Sequence, residues 1–178
     1  MITKWNFQTP TEEELHKRDR LASQLGLSPV VCLLLVQRGL TTVEEVKKFF
    51  KPSLNDLHDP FLMPDMEKAV KRLNKALGNK EKILIYGDYD VDGTTAVSLV
   101  YKYLRPYSSA LDYYIPDRYD EGYGISYKGI NYARENGITL VISLDCGIKA
   151  IEKIEYAKQL GIDFIICDHH MPDDSLPD

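Results

Sequence analysis

The stretch Ile83-Leu84-Ile85-Tyr86-Gly87-Asp88-Tyr89-Asp90-Val91-Asp92-Gly93 decides the fold. A short apolar run, the mark of a buried strand, empties into a turn with aspartates at alternate positions and a closing glycine. Carboxylates this close repel one another unless positive charge sits among them. Hard divalent cations, which prefer oxygen ligands, supply that charge. The plainer reading is a solvated acidic turn that caps the next helix, but three acids in five residues exceed what a cap requires. Alternate spacing sends several carboxylates to one pocket if the turn is semi-extended, with Gly87 and Gly93 permitting a sharp entry and exit. The loop stands where a phosphate-cradling loop would, yet it lacks the lysine and should attract a cation instead.

Two more apolar runs end in the same way. Leu140-Val141-Ile142-Ser143-Leu144 delivers Asp145, and Phe164-Ile165-Ile166-Cys167 delivers Asp168-His169-His170. From residue 81 onward the pattern gives strands at 83–86, 111–115, 139–144 and 162–167, with helices at 94–104, 127–136 and 149–160 between them. Such alternation predicts an α/β domain: a parallel sheet with helices on both faces. Ligands in such sheets sit beyond the carboxyl ends of the strands, where all three acidic clusters lie.

Upstream, residues 1–80 read as a helical N-terminal region. Thr11-Glu12-Glu13-Glu14 is a capping box, with Gly26 as the stop. Ser28-Pro29 opens a second helix ending near Gly39, and a third runs from about Thr41 to before Pro52. Residues 53–64 form an ordered connector, after which Asp65 caps a helix over Met66–Leu77. Its Lys68, Lys71, Arg72 and Lys75 read as a solvated face in preference to a phosphate track.

Taken alone, Asp145 could cap the helix after it; beside the first cluster it reads as a metal ligand able to bridge two cations. Side chains alternate along extended chain, so His169 and His170 are expected to serve different roles, one on metal and one on a phosphate oxygen or in proton transfer. A zinc site from Cys146, Cys167, His169 and His170 is the softer alternative, disfavoured because both cysteines lie among apolar strand residues and the neighbours are aspartates. Within Arg118-Tyr119-Asp120-Glu121-Gly122-Tyr123-Gly124-Ile125-Ser126, Arg118 and backbone amides can hold a phosphate and Tyr123 can stack on a base, with Ser126 as the following N-cap and a further substrate contact.

The 178 residues, 44% apolar and 28% charged, describe an ordinary globular chain. Net charge of −5 weighs against a broad electrostatic coat for nucleic acid, though not against a nuclease whose acidic site is neutralised by metal. Cys32, Cys146 and Cys167 cannot all pair. No apolar run approaches the ~20 residues of a membrane span, and Met1–Phe7 lacks the apolar core of a secretory signal, so a cytoplasmic location is expected. The chain stops in a loop eight residues after His170, which reads as a truncation.

With these motifs in place, the sequence resembles the DHH phosphoesterase superfamily and, within it, the RecJ-type single-stranded-DNA exonucleases. Tyr86–Gly93 looks like the first motif, Asp145-Cys146-Gly147 the second, and Asp168-His169-His170 the one that names the superfamily. The likeness continues through Gln37–Leu40, Pro52–Met66 and Glu121–Gly124. It implies that Asp90, Asp92, Asp145 and His169 ligate Mn2+ or Mg2+, two ions in the complete site, and that Asp88 is a ligand or supports one. It also implies that His170 contacts the scissile phosphate, with Asp168 in the catalytic group. A DHH domain beginning at residue 81 would be cut before the family's later acidic motif, and its companion domains are absent. The implied activity is manganese-dependent 5′-to-3′ degradation of single-stranded DNA in recombination and repair, with a single-stranded-DNA-binding protein and a helicase as partners. Two other readings remain: Asp90-Val91-Asp92-Gly93-Thr94 also fits the haloacid-dehalogenase phosphatase signature with Asp90 as nucleophile, and the chain could be a non-catalytic metal-binding fragment.

Overall fold

The structure is a computed structural model that describes residues 9–177, so the reading of Met1–Phe7 lies outside the described residues. The chain divides into two compact units, Met1–Pro60 and Phe61–Asp178.

The first unit holds α1 (Glu12–Leu25), α2 (Pro29–Gln37) and α3 (Val43–Phe50). Thr11 and Glu14 form the expected capping box, and α1 ends at Gly26 in the left-handed conformation. A second capping box, Thr42 with Glu45, starts α3 one residue later than the sequence suggests. Ser28 occupies the N-cap position of α2 but makes no side-chain cap bond; Pro29 alone sets the start. Leu21, Cys32, Leu35, Val36 and Val46 close the core of this unit.

The second unit begins with α4 (Met66–Gly78), followed by β1 (Ile83–Gly87), α5 (Val91–Leu104), β2 (Leu111–Tyr114), α6 (Tyr127–Glu135), β3 (Leu140–Leu144), α7 (Ile151–Gln159) and β4 (Asp163–Cys167). All pairings are parallel and the strand order is β2-β1-β3-β4. Both inner strands are buried at every residue, which is why β1 and β3 read as unbroken apolar runs. Ile83, Ile85, Leu140 and Ile142 turn to one face and pack with Ala76 of α4 and with Val97 and Leu104 of α5. Leu84, Tyr86 and Val141 turn to the other and pack with Ile130 and Ala133 of α6 and Ile154 and Ala157 of α7. Helices therefore cover both faces, as the alternation predicted.

Three local readings need correction. Asp65 adopts a left-handed conformation (φ 57°) and makes no cap bond to α4. α4, grouped by sequence with the N-terminal helices, packs on the sheet through Leu73, Ala76 and Leu77. Arg72 is not part of a solvated face: it pairs with Glu81 (2.7 Å) and Asp163 (2.6 Å), tying α4 to the chain entering β1 and to the start of β4.

Candidate metal centre

Strand order places the centre. From β1 the chain moves outward to β2 and then returns to the opposite flank of β1 for β3, so the switch point lies between the ends of β1 and β3. Gly87 pairs with Leu144, and Leu144 with Cys167. Asp88, Asp145 and Asp168 therefore leave three adjacent strands side by side. The ladder runs one step past β3, because Asp145 N–H donates to the Cys167 carbonyl at 2.8 Å.

The first cluster is tighter than a semi-extended turn. α5 begins at Val91, not residue 94, so the three aspartates diverge in role. Asp88 is fully buried; its Oδ1 accepts a long bond from Gly124 N–H (3.4 Å), and its Oδ2 has no partner. Asp90 is the N-cap of α5, with Oδ1 accepting from Gly93 N–H at 2.8 Å. Asp92 lies exposed in the first helical turn, with no hydrogen bond or ion pair among the described residues. Neither Gly87 nor Gly93 has positive φ. Their lack of a side chain serves close approach instead: a Cβ on Gly93 would lie 2.6–2.9 Å from backbone atoms of Asp88, and one on Gly87 2.9 Å from the Gly93 carbonyl oxygen.

Asp145 does not cap the next helix, whose N-cap position is Ala150. It holds a left-handed conformation (φ 60°), uncommon for a residue with a side chain and a frequent sign of a constrained functional position. Its Oδ1 lies 3.0 Å from His169 Nε2. Ligand atoms of Asp145, His169 and His170 all fall within 4.8 Å of one another. The two histidines take different partners, His169 on Asp145 and His170 on Asp168 and Tyr123, yet their rings do not point apart. The chain after Cys167 is no longer strand, and the rings lie 4.8 Å apart at 39°.

Asp168 is an orienting group with only 2% of its side chain exposed, so it cannot itself meet substrate. Burial alone would raise its carboxyl, but bonds from Ile148 N–H (2.9 Å), His170 N–H (3.1 Å) and His170 Nδ1 (2.7 Å) outweigh this and hold it below the ordinary carboxylate range. The same Asp168 bond pushes His170 up. The Cys146 thiol is pushed up to about 12, first by burial and then by the Asp88, Asp168, Asp145 and Asp90 carboxylates. Four acids acting on one thiol show how closely they converge. Cys167 is exposed rather than buried. The zinc reading is not supported, because among the described residues the group able to hold a cation includes neither Cys146 nor Cys167.

The glycine-bearing loop differs from expectation. Ser126 is a true N-cap of α6, but it is 6% exposed and its hydroxyl donates to Glu121 Oε2 (2.5 Å) while accepting from Gly129 N–H (2.9 Å). It is not free to contact substrate. Arg118 lies over the ring of Tyr89, 5.4 Å from the centroid. Tyr123 turns inward at its tip, with its hydroxyl 3.2 Å from His170 Nε2. Sequence reasoning missed Glu121, Tyr89 and the Ile148 amide; Tyr86 offered a signal, because a tyrosine inside a fully buried strand needs a partner for its hydroxyl.

Asp145, His169 and His170 form a group that suits a divalent cation; Asp88, Asp90 and Asp92 lie outside it, although Asp88 leaves the adjacent strand end with an orphaned buried oxygen. Residues 82–178 match the N-terminal domain of the DHH family, and the chain belongs to that family. It is 41% identical over 175 residues to the single-stranded-DNA-specific exonuclease RecJ of Bacillus subtilis, a match over 98% of this chain and 22% of that protein. It is 34% identical over 153 residues to RecJ of Escherichia coli, covering 85% of this chain and 26% of that one. The chain thus spans about a quarter of the length of these relatives. A crystal structure of exonuclease RecJ bound to manganese superposes with a TM-score of 0.60 at 29% identity, over 66% of this chain and 31% of that one. RecJ from Thermus thermophilus in complex with Mn2+ shares the fold (TM-score 0.68, 23% identity, 92% of this chain and 22% of that one). No described helix is long and apolar enough to cross a membrane.

Proposed function

We propose that this chain supplies the metal-binding core of a phosphodiesterase that removes nucleotides from the 5′ end of single-stranded DNA, as one portion of a longer exonuclease. The observation that carries this reading is the meeting of Asp145, His169 and His170 within 4.8 Å at the strand ends where Asp88 also emerges, its Oδ2 buried and unpartnered. The relatives named for single-stranded-DNA exonuclease activity support it. Asp88, Asp90, Asp92, Asp145 and His169 are the residues that would hold Mn2+ or Mg2+. Bound there, divalent metal lowers the pKa of water and offsets charge on a phosphoryl group.

The chain's own groups do the rest. Asp168 takes the Nδ1 edge of His170, so Nε2, which meets the Tyr123 hydroxyl at 3.2 Å before substrate binds, is the edge a phosphate oxygen would approach. Arg118, whose guanidinium lies over Tyr89, would meet backbone phosphate, and the Tyr123 and Tyr89 rings, edge-on to each other, would offer surfaces to bases. A DHH portion beginning near residue 81 with α4 packed against its sheet, a cytoplasmic location, and partnership with a single-stranded-DNA-binding protein and a helicase belong to the same proposal. The phosphatase alternative gains nothing here, since the Asp90 carboxylate caps α5 in place of standing free as a nucleophile.

Calorimetric titration of this chain with manganese tests the reading. Heat of binding is expected in the wild type and should vanish in Asp145→Ala and Asp90→Ala. Identical heats in all three proteins would overturn it.

A further inference from the structure

The loop at residues 117–126 is built more heavily than a phosphate- or base-contacting loop needs to be. Glu121 accepts from the Ser126 hydroxyl (2.5 Å), the Tyr114 hydroxyl (2.9 Å) and Asp117 N–H (2.9 Å). Tyr86, buried in β1, donates to the Gly124 carbonyl (3.0 Å) and accepts from Ser126 N–H (3.1 Å). The loop is therefore clamped on both sides to the sheet. Between the clamps, Gly122 (φ 80°) and Gly124 (φ 78°) bracket Tyr123, two left-handed positions that a residue with a side chain adopts only under strain. Nothing lies within 4 Å of a Cβ at Gly122, so conformation and not space demands glycine there.

What the clamped loop delivers is the Tyr123 hydroxyl, 3.2 Å from His170 Nε2 and 3.4 Å from the Asp145 carbonyl. The two rings meet edge-on, with centroids 6.0 Å apart at 83°. His170 is thus held at both nitrogens: Nδ1 by Asp168 and Nε2 by Tyr123. We propose that Tyr123 is a positioning residue for His170, fixing the imidazole plane before substrate arrives, and that the Glu121-Gly122-Tyr123-Gly124 motif exists to deliver it. The arrangement works in either charge state of the ring. A neutral Nε2 accepts the tyrosine proton, whereas a protonated Nε2 donates to the hydroxyl, whose own proton then turns to the Asp145 carbonyl. Asp168 alone leaves the ring one pivot; the second contact removes it.

The test is Tyr123→Phe, which keeps the ring and removes only the hydroxyl. In metal-free samples of this chain labelled with 15N on histidine, the His170 Nε2 resonance, identified by its loss in His170→Gln, is expected to move in Tyr123→Phe. His169 and the backbone amides away from the loop should stay in place. This readout needs neither metal nor turnover. An unmoved Nε2 resonance overturns the proposal.

A kinetic arm rests on the phosphodiesterase reading and uses the longer enzyme. Tyr123→Phe should lower the single-turnover rate at saturating single-stranded DNA by about 3- to 10-fold, the size of one hydrogen bond, without changing manganese affinity. In a His170→Ala background the same substitution should add nothing; a further loss there would mean Tyr123 acts independently of His170 and would overturn the positioning role. If nuclease activity is absent altogether while the Nε2 shift occurs, the functional reading fails and the positioning contact stands.

Discussion

Asp88 illustrates how a single oxygen can define a site. Its Oδ1 has the Gly124 amide, but Oδ2 is buried without any partner, a situation that costs free energy unless a ligand supplies the missing interaction. Asp88→Asn keeps an acceptor for Gly124 and should fold normally, yet bind manganese at least ~10-fold more weakly in calorimetry. Equal affinity would place Oδ2 outside the coordination sphere. Asp168 makes the opposite prediction. Asp168→Ala strips partners from the Ile148 amide and from both His170 donors, so thermal melts of the metal-free protein should show a loss of about 1–3 kcal/mol. A melt unchanged from wild type would mean that these bonds contribute nothing net. The acids and histidines were legible in the sequence because each ends an apolar run. Their individual roles were not, since those depend on where α5 begins and on how the chain bends after Cys167. The alternation argument for His169 and His170 presumed a continuing strand, and β4 ends at Cys167 with a bend at His170.

Among elements, the contact between β1 and the first turn of α5 sets the geometry of the acidic cluster. Strand and helix were readable from periodicity, and so was the two-sided cover of the sheet by helices. The helix start was not, because Asp90-Val91-Asp92 carries no apolar periodicity and the cap could be recognised only once the Asp90 carboxylate was seen on the Gly93 amide. Glycine at 93 looked like a turn residue; it serves as a spacer within a helix. Gly93→Ala should therefore cost about 1–3 kcal/mol, because its Cβ would fall 2.6–2.9 Å from the Asp88 backbone and push α5 from β1. Gly78→Ala in the last turn of α4 is the control: a Cβ there meets nothing within 4 Å, so the change should be neutral or stabilise by up to ~1 kcal/mol. Denaturant midpoints of the two variants should move in opposite directions or, at least, only the first should fall. Equal losses would show that helix propensity, and not the close approach at residue 93, governs both.

For the molecule as a whole, the second unit contains both of its sheet-face cores and the complete set of strand-end acids. Its opposite edge, at the amino ends of the strands, is fastened by charge. Arg72 reaches Glu81 at 2.7 Å and Asp163 at 2.6 Å, and Glu81 also accepts from the Thr139 hydroxyl at 2.8 Å, so α4, β1, β3 and β4 meet at one guanidinium. This clasp was invisible in a sequence where Arg72 sits among lysines on a polar helix face, since its partners lie 9 and 91 residues away. The Thr139 bond, and after it Arg72, hold the Glu81 carboxyl below its ordinary value of 4.5. A depressed carboxyl contributes stability that is fully present above the unfolded value and is lost as pH falls through the folded one. Wild-type stability should therefore decline progressively below about pH 4.5 on this account. Arg72→Met keeps the aliphatic packing and removes the charge. It should lower stability at pH 7 by about 1–3 kcal/mol, an estimate reduced from that of a fully buried pair because Asp163 is largely exposed. It should also shrink the difference between pH 7 and pH 4, because Glu81 then keeps only its threonine partner and its folded pKa moves back toward 4.5. Urea titrations of both proteins at the two pH values measure this directly. An equal drop between pH 7 and pH 4 in wild type and variant would assign the acid sensitivity to other carboxylates and remove the clasp from the account.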